Sequence, residues 1–242
     1  MKNRPQSVWR IVPIALSLSL LPAGITLSAF TTNAAEDTST VQVIVHAGLG
    51  EDGAAVADRI GDDDAWETTG EPTTSDDVAV SAETVDSAAC VTFDGTVGLT
   101  LTDLPVTSKN NIAVEAWIRP TSEAPGSRMI VKYGGNGGFG IEQQKGGVWG
   151  VIYGKATVGF HQLELDAWTH VALVIENETS TLYVNGAASG SADATPWGYD
   201  ANAGMTIGIK PGNETGGFEG DIDELRVFTF EDFDDSELLY WQ

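Results

Sequence analysis

Cysteine is nearly missing: Cys90 is the only one in 242 residues. No intrachain disulfide can form, so an exported domain of this kind must rest on its apolar core, helped at most by a metal. Cys90 sits in the apolar run Ala88-Ala89-Cys90-Val91 and reads as a small buried side chain. A nucleophilic role would need a neighbouring His, which the sequence does not supply. Basic residues are also scarce, 12 Lys and Arg against 35 Asp and Glu. Such a charge repels nucleic acid and anionic membranes, and neither is an expected partner. Only three histidines occur. His161 and His170 lie close to apolar strands, with no Cys or third His at metal-ligand spacing, which argues against zinc. His170 is expected to hydrogen-bond inside the fold. No internal repeat and no second domain are visible.

The N-terminus is a targeting segment. Lys2, Arg4 and Arg10 form a basic start, and Ile11 to Phe30 is an almost uncharged run. Ala34 and Ala35 offer small residues to a signal peptidase. Pro13, Pro22 and Gly24 interrupt the run, which favours cleavage over a membrane anchor. No Cys follows to take a lipid, and no anchor or sorting tail is visible before Gln242. Residues 1–35 are therefore a secretory signal peptide and 36–242 one domain, large enough for a real core. The leader holds three of the 12 basic residues and none of the 35 acidic ones, so the mature formal charge is 9 − 35 = −26. That charge suits solubility outside the cell and attraction of divalent cations.

Short alternating segments recur between turn signals, the pattern of a sandwich or barrel. Strands are expected at 41–47, 91–93, 97–101, 112–119, 139–142, 148–153, 168–175, 181–184, 205–209 and 222–230. On 112–119, Ile112, Val114, Ala116 and Ile118 share one face, with Glu115, Trp117 and Arg119 on the other. Trp117 on the second face suggests that both faces are partly covered, as where two sheets stack. Val91–Phe93 and Val97–Leu101 read as a strand pair around Asp94-Gly95, and Asn185-Gly186 as a type I′ hairpin turn. Residues 51–86 are an acidic, Ser/Thr-rich surface excursion with short structured pieces. Eight glycines crowd residues 134–150. Without a P-loop or dinucleotide fingerprint they signal turns and bulges, not a phosphate cradle. Only Asp234 to Trp241 looks helical, with Asp234 or Asp235 as cap.

In order, the segments Val91-Thr92-Phe93-Asp94-Gly95, Ile112-Ala113-Val114-Glu115-Ala116-Trp117-Ile118-Arg119-Pro120, Trp168-Thr169-His170-Val171-Ala172, Leu182-Tyr183-Val184-Asn185-Gly186 and Phe218-Glu219-Gly220-Asp221-Ile222-Asp223-Glu224-Leu225-Arg226-Val227 resemble the laminin G-like domains of the concanavalin A-like superfamily. The order and spacing fit from about Val41 to the C-terminus. Asn185 stands where the family often has Asp, and forms the turn at least as well. The resemblance implies an all-β fold, two antiparallel sheets packed as a jelly roll, with a short C-terminal helix. It implies extracellular binding of glycans or proteins. It also implies a possible structural calcium near the start of the domain, held by a carboxylate of the last strand: Asp223 first, with Asp221 and Asp94 as further ligands.

Laminarinase-type glycosidases of the same superfamily use an E-x-D-x-x-E strand, which Glu219, Asp221 and Glu224 match in spacing. Gly220 stands where that pattern has a bulky apolar residue, and on a regular strand Glu224 points away from the other two. Trp117 and Trp168 read as core. Trp66, Trp149 and Trp197 are better placed to stack on a sugar, with Trp197 and Tyr199 in the loop Pro196-Trp197-Gly198-Tyr199. The expected ligand-binding residues are Trp197, Trp149 and Tyr199. The expected function is a secreted, monomeric, non-catalytic module recognising a glycan or an extracellular, cell-surface partner. A glycoside hydrolase or lyase and a structural envelope or matrix module remain as alternatives. One outcome is checked directly: mass spectrometry of the exported protein is expected to find an N-terminus at or near Ala35, Glu36 or Asp37, whereas a full-length chain held in the membrane would refute the leader.

Overall fold

Alternation decides the architecture. In the computed structural model, Ile112, Val114, Ala116 and Ile118 point into one central core, and Ala113 joins a second, smaller cluster on the opposite side. A strand covered on both faces must lie in the middle of a layered fold. The structure describes residues 41–48, 57–58, 66–75, 90–102, 111–134, 137–194, 204–210 and 216–241. The leader 1–35, Trp197, Tyr199 and much of the acidic stretch 51–86 lie outside these residues. No helix among the described residues is long and apolar enough to cross a membrane.

Two antiparallel sheets form the sandwich. The nine-stranded sheet contains β1 (Gln42–Gly48), β2 (Ala57–Asp58), β4 (Thr73–Ser75), β5 (Cys90–Asp94), β7 (Ile112–Pro120), β12 (Thr169–Glu176), β13 (Thr179–Val184), β14 (Ala187–Asp193) and β16 (Glu219–Thr229). Its order is β14-β13-β12-β7-β16-β1-β2, with β5 also on β16 and β4 on β5. The seven-stranded sheet runs β11-β10-β9-β8-β15-β6-β3. Its strands are β3 (Trp66–Thr69), β6 (Gly98–Leu101), β8 (Arg128–Tyr133), β9 (Phe139–Gln144), β10 (Gly147–Ile152), β11 (Ala156–Gln162) and β15 (Met205–Ile207). Phe93, Leu99, Ile118, Tyr133, Phe139, Leu173 and Ile222 are among the side chains that fill the space between the sheets. Cys90 is buried, as expected. Asn185 and Gly186 both take positive φ, 48° and 71°, and close the β13–β14 hairpin as the type I′ signal predicts.

Two sequence expectations change. β5 and β6 do not pair with each other: β5 joins β16 and β6 joins β15, in opposite sheets. The Asp94 carboxylate accepts hydrogen bonds from the Thr96 and Val97 amides and the Thr96 hydroxyl. That turn carries the chain across the sandwich. The helix expected at Asp234 to Trp241 is two 3-10 turns, Asp235–Glu237 and Leu239–Trp241, with Asp234 as the cap, accepting from the Ser236 amide. Helical bonding fails there because side chains of the sheet take its backbone groups. Glu115 accepts from the Leu239 amide, and Arg226 donates to the Glu237 carbonyl.

Glu115 is the centre of that contact. It is fully buried on β7 and accepts from Arg226 Nε and from His170, whose Nε2 lies 2.9 Å from Oε2. A carboxylate only accepts, so Nε2 carries the proton. Around it Ala113, Ala172, Val174, Phe228, Phe230 and Leu238 form the second cluster, with Tyr183 and Phe233 against it. Tyr240 packs on Trp117 and His170, ring centroids 6.0 Å away in each case. The outer face of the nine-stranded sheet is thus closed by residues 230–241.

Burial pushes the Glu115 carboxyl up, but the His170 hydrogen bond and the Arg226 charge outweigh it and hold the group below its ordinary 4.5. A depressed folded value stabilises at pH above the unfolded value and loses that contribution as pH falls through the folded one. Glu115→Gln leaves the Arg226 guanidinium without its buried counter-charge. It is expected to cost roughly 3–5 kcal/mol at neutral pH in urea unfolding and to speed exchange of the Leu239 amide. The gap from wild type should narrow at pH below 4.5. A cost under about 1 kcal/mol would show that the pair is a surface-like contact.

Candidate functional site

The outer face of the seven-stranded sheet contrasts with the closed face behind it: the described residues hold no second hydrophobic cluster over it. Its composition follows from alternation. Val131 and Tyr133 point to the core, so Lys132 points out; Val148 and Ile152 point in, so Trp149, Val151 and Tyr153 point out. Pairing sets the rows. Trp149 lies opposite Glu142, and Glu142 opposite Met129. The next row is Thr157, Val151, Gly140, Lys132, Thr206, Thr100 and Glu67, one residue from each of seven adjacent strands.

Two glycines make room for the large side chains. A Cβ on Gly140 would come 3.3 Å from the Tyr153 hydroxyl and only 2.4 Å from the Val131 carbonyl oxygen. A Cβ on Gly147 would lie 2.3 Å from the Phe160 ring. Tyr153 can therefore lie over β9, and Phe160 over the start of β10 beside Trp149. The Trp149 and Phe160 rings are 6.1 Å apart and tilted by 35°. Phe160 is 51% exposed, an unusual state for a Phe on a strand. Trp149 is half-buried.

Beside this pair is a polar group. The Tyr153 hydroxyl donates to Glu142 Oε1 at 2.8 Å, and Ser127 donates to Oε2. The Lys132 ammonium stands 4.6 Å from the Tyr153 ring centroid, a cation–π contact. Burial lowers the Lys132 ammonium below its ordinary range, the Lys210 charge lowers it further, and Glu142 opposes both. Burial and the Glu142 carboxylate push the Tyr153 hydroxyl up, so it stays a donor. A ring platform, a fixed hydroxyl, a carboxylate and an ammonium on one flat face can stack on a sugar and hydrogen-bond its substituents.

Of the expected ligand residues, Trp149 is on this face, whereas Trp197 and Tyr199 lie outside the described residues. The sequence reading missed Phe160, Lys132, Tyr153 and Glu142. The available signal was the glycine at every strand crossing of this region, which marks close approach as well as turns. Trp117 is buried edge-on against His170, 5.3 Å between centroids. Trp168 is half-buried under the Arg119 guanidinium, at 4.9 Å.

The expected calcium ligands lie on the other sheet and do not converge. Asp221 is buried between Arg119 Nε at 2.8 Å and the Thr92 hydroxyl at 2.6 Å. Asp94 is exposed and caps its own turn, and the Thr96 bonds hold its carboxyl below the ordinary range. Asp223 is buried, with Oδ1 accepting the Glu224 amide. Among the described residues no three His, Cys, Asp or Glu side chains form a metal-binding group, so these three do not fit a calcium cage by themselves. Glu219-x-Asp221-x-x-Glu224 is not regular either. β16 bulges between Asp223 and Arg226 in its pairing with β7, and Glu224 has φ 48°. The bulge brings Glu224 to His46 Nε2 at 2.7 Å, so it does not point away into the core as a regular strand would have it.

Comparison with known proteins places this geometry. No curated protein matches the sequence. Among solved structures, domain 4 of AbnA, a GH43 extracellular arabinanase from Geobacillus stearothermophilus solved in complex with arabinotriose, superposes with a TM-score of 0.62 at 18% identity, over 82% of this chain and 97% of that one. The binding domain of botulinum neurotoxin serotype G matches with a TM-score of 0.64 at 13% identity, over 83% of this chain and 51% of that one. The binding domain of Paraclostridial Mosquitocidal Protein 1 matches at 0.60 and 14%, over 81% and 50%. The chain thus spans about half of each toxin domain, and at these identities the likeness is one of fold. A laminin G family model, described as concanavalin A-like lectin/glucanases superfamily, matches residues 93–231. With more than half its length under that match and two antiparallel sheets in a jelly-roll sandwich, the chain belongs to the laminin G-like family of the concanavalin A-like lectin/glucanase superfamily.

Proposed function

We propose that this chain is a secreted, non-catalytic recognition module that binds a glycan on the outer face of its seven-stranded sheet. The observation that carries the reading is the Trp149–Phe160 pair on a sheet face left uncovered among the described residues. Phe160 is more than half exposed beside the half-buried Trp149, and sugar rings present apolar CH faces of matching size that would cover both. Tyr153, Glu142 and Lys132 supply the polar contacts that orient such a ligand. Trp197 and Tyr199, the other ligand residues expected from the sequence, are proposed to take part in binding. The arabinanase domain holds arabinotriose in its solved structure and the toxin domains are binding domains, which supports recognition as the use of this fold here.

Absence of turnover belongs to the same proposal. A retaining or inverting glycosidase needs two carboxyl groups across an open cleft. Asp221 is answered by Arg119 and Glu224 by His46, both largely buried. A structural calcium would have to be held by Asp223 with oxygens outside the described residues. Melting in EDTA, Ca²⁺ and Mg²⁺ at equal ionic strength decides it: a calcium-specific rise lost in Asp223→Asn supports the site, and equal shifts remove it.

A glycan array on the mature chain is expected to give a defined set of binders. Trp149→Ala and Phe160→Ala are each expected to weaken the best one at least tenfold, about 1.4 kcal/mol or more, with the melting temperature little changed. Reducing-sugar assays on the same glycans are expected to stay at background in wild type and Glu219→Gln alike. Turnover that vanishes in Glu219→Gln would replace this reading with a hydrolase. Strong binding indifferent to both aromatic variants would move the site elsewhere.

A further inference from the structure

The acidic character of the chain is reversed over one part of this face, the strands β8 to β11. Between residues 124 and 163 stand Arg128, Lys132, Lys145 and Lys155 and a single acid, Glu142, whereas the other 34 acids lie elsewhere. This stretch is β8 to β11, four strands side by side in the sheet. Arg119 and Arg226 on the other sheet are consumed by Asp221 and Glu115. Lys132 makes no ion pair among the described residues; its ammonium rests on the Tyr153 ring, and the Lys210 charge acts on it. The nearby Glu142 carboxylate is taken by the Ser127 and Tyr153 hydroxyls. Around Lys132 the Lys210 charge outweighs the Glu142 carboxylate, so among the described residues this part of an otherwise strongly acidic molecule keeps a local excess of positive charge.

We propose that the glycan bound on this face is anionic, with its carboxylate or sulfate received by Lys132 and Lys210 while a neighbouring sugar ring stacks on Trp149 and Phe160. Lys132 lies two strands away from Trp149 and one row further along, about 12 Å between backbones, so the stack and the charge contact fall on different sugar units of one oligosaccharide. The inference rests on the glycan reading above and names the ligand's chemical class. An anionic membrane also has negative charge, but it engages a wide area and would meet the acidic remainder of the molecule. An oligosaccharide fits within the basic half-sheet.

The test uses matched pairs of ligand on the mature chain: oligogalacturonate against its methyl ester, and dextran sulfate against dextran, titrated in 50 and 200 mM NaCl. In at least one pair the anionic member is expected to bind about tenfold tighter and to lose affinity with salt; which pair does so separates carboxylate from sulfate. Lys132→Gln and, independently, the exposed Lys210→Gln are expected to reduce that advantage several-fold without moving the melting temperature. Equal binding of charged and neutral partners, with Trp149→Ala abolishing both, overturns the anionic inference and leaves the glycan reading standing. An advantage that survives Lys132→Gln combined with Lys210→Gln also overturns it. No saccharide binding at all, with or without binding to phosphatidylserine vesicles, removes both readings.

Discussion

A buried carboxylate sets the organisation of this molecule. Glu115 has no exposed surface and three donors, Arg226, His170 and the Leu239 amide. An ionised carboxylate in the interior costs several kcal/mol unless every lone pair is met. Arg226 comes from β16 and His170 from β12, the two strands that flank β7, so correct pairing of the sheet's centre assembles two of the partners. The third comes from the C-terminal turns, which must dock for the site to be complete. Charge satisfaction therefore couples the centre of the sheet to the last residues of the chain. The 3-10 geometry of those residues is part of the same bargain, since a continuous α-turn would withdraw the Leu239 amide and the Glu237 carbonyl from the sheet.

That coupling divides the sandwich into two unlike faces. Docking of 230–241 closes the nine-stranded sheet under Phe230, Leu238 and Tyr240. The seven-stranded sheet has no such cover among the described residues, and glycines replace it as the organising device. Gly140 and Gly147 let Tyr153 and Phe160 lie down on the strands, so large rings sit on the sheet and not in it. One outer face is closed by the chain's own last residues, and the other has no such cover among the described residues.

Much of this was legible in the sequence. Alternation at 112–119 identified the core side and the covered outer side of β7, because period two is a direct consequence of strand geometry. Asn185-Gly186 fixed its hairpin through backbone conformation alone. The strand pair around Asp94 was not legible: a turn joining two sheets and a turn joining two paired strands use the same Asp-x-Thr chemistry, and only the distant partners β15 and β16 distinguish them. β11 and β14 carried too weak an alternation to stand out, with Gly, Ala or Ser at many positions, and β8 has the consecutive apolar residues Met129-Ile130-Val131 in place of alternation. The bulge at Glu224 was hidden as well, since a non-glycine residue at φ 48° has no sequence signal. For the site, Trp149 was visible as a ring in a glycine-rich strand. Phe160 was not, because its neighbour across β10 and β11 depends on a register shift between Val148 and Gly150.

Net charge is the property that misleads most here. The charge of −26 expected for residues 36–242 argues against every anionic partner when it is treated as a single number. Screening confines each charge to about 8–10 Å at ordinary ionic strength. A ligand a few sugars long therefore responds to the field within a half-sheet, not to the total. Within β8 to β11 the balance of formal charge is four basic residues to one acid, and that acid is tied to two hydroxyls. Under the proposed reading, the acidic remainder would turn away partners that need a large contact area and leave the small basic half-sheet for short charged chains, so that segregation of charge by strand, not its sum, would set the field such a ligand meets.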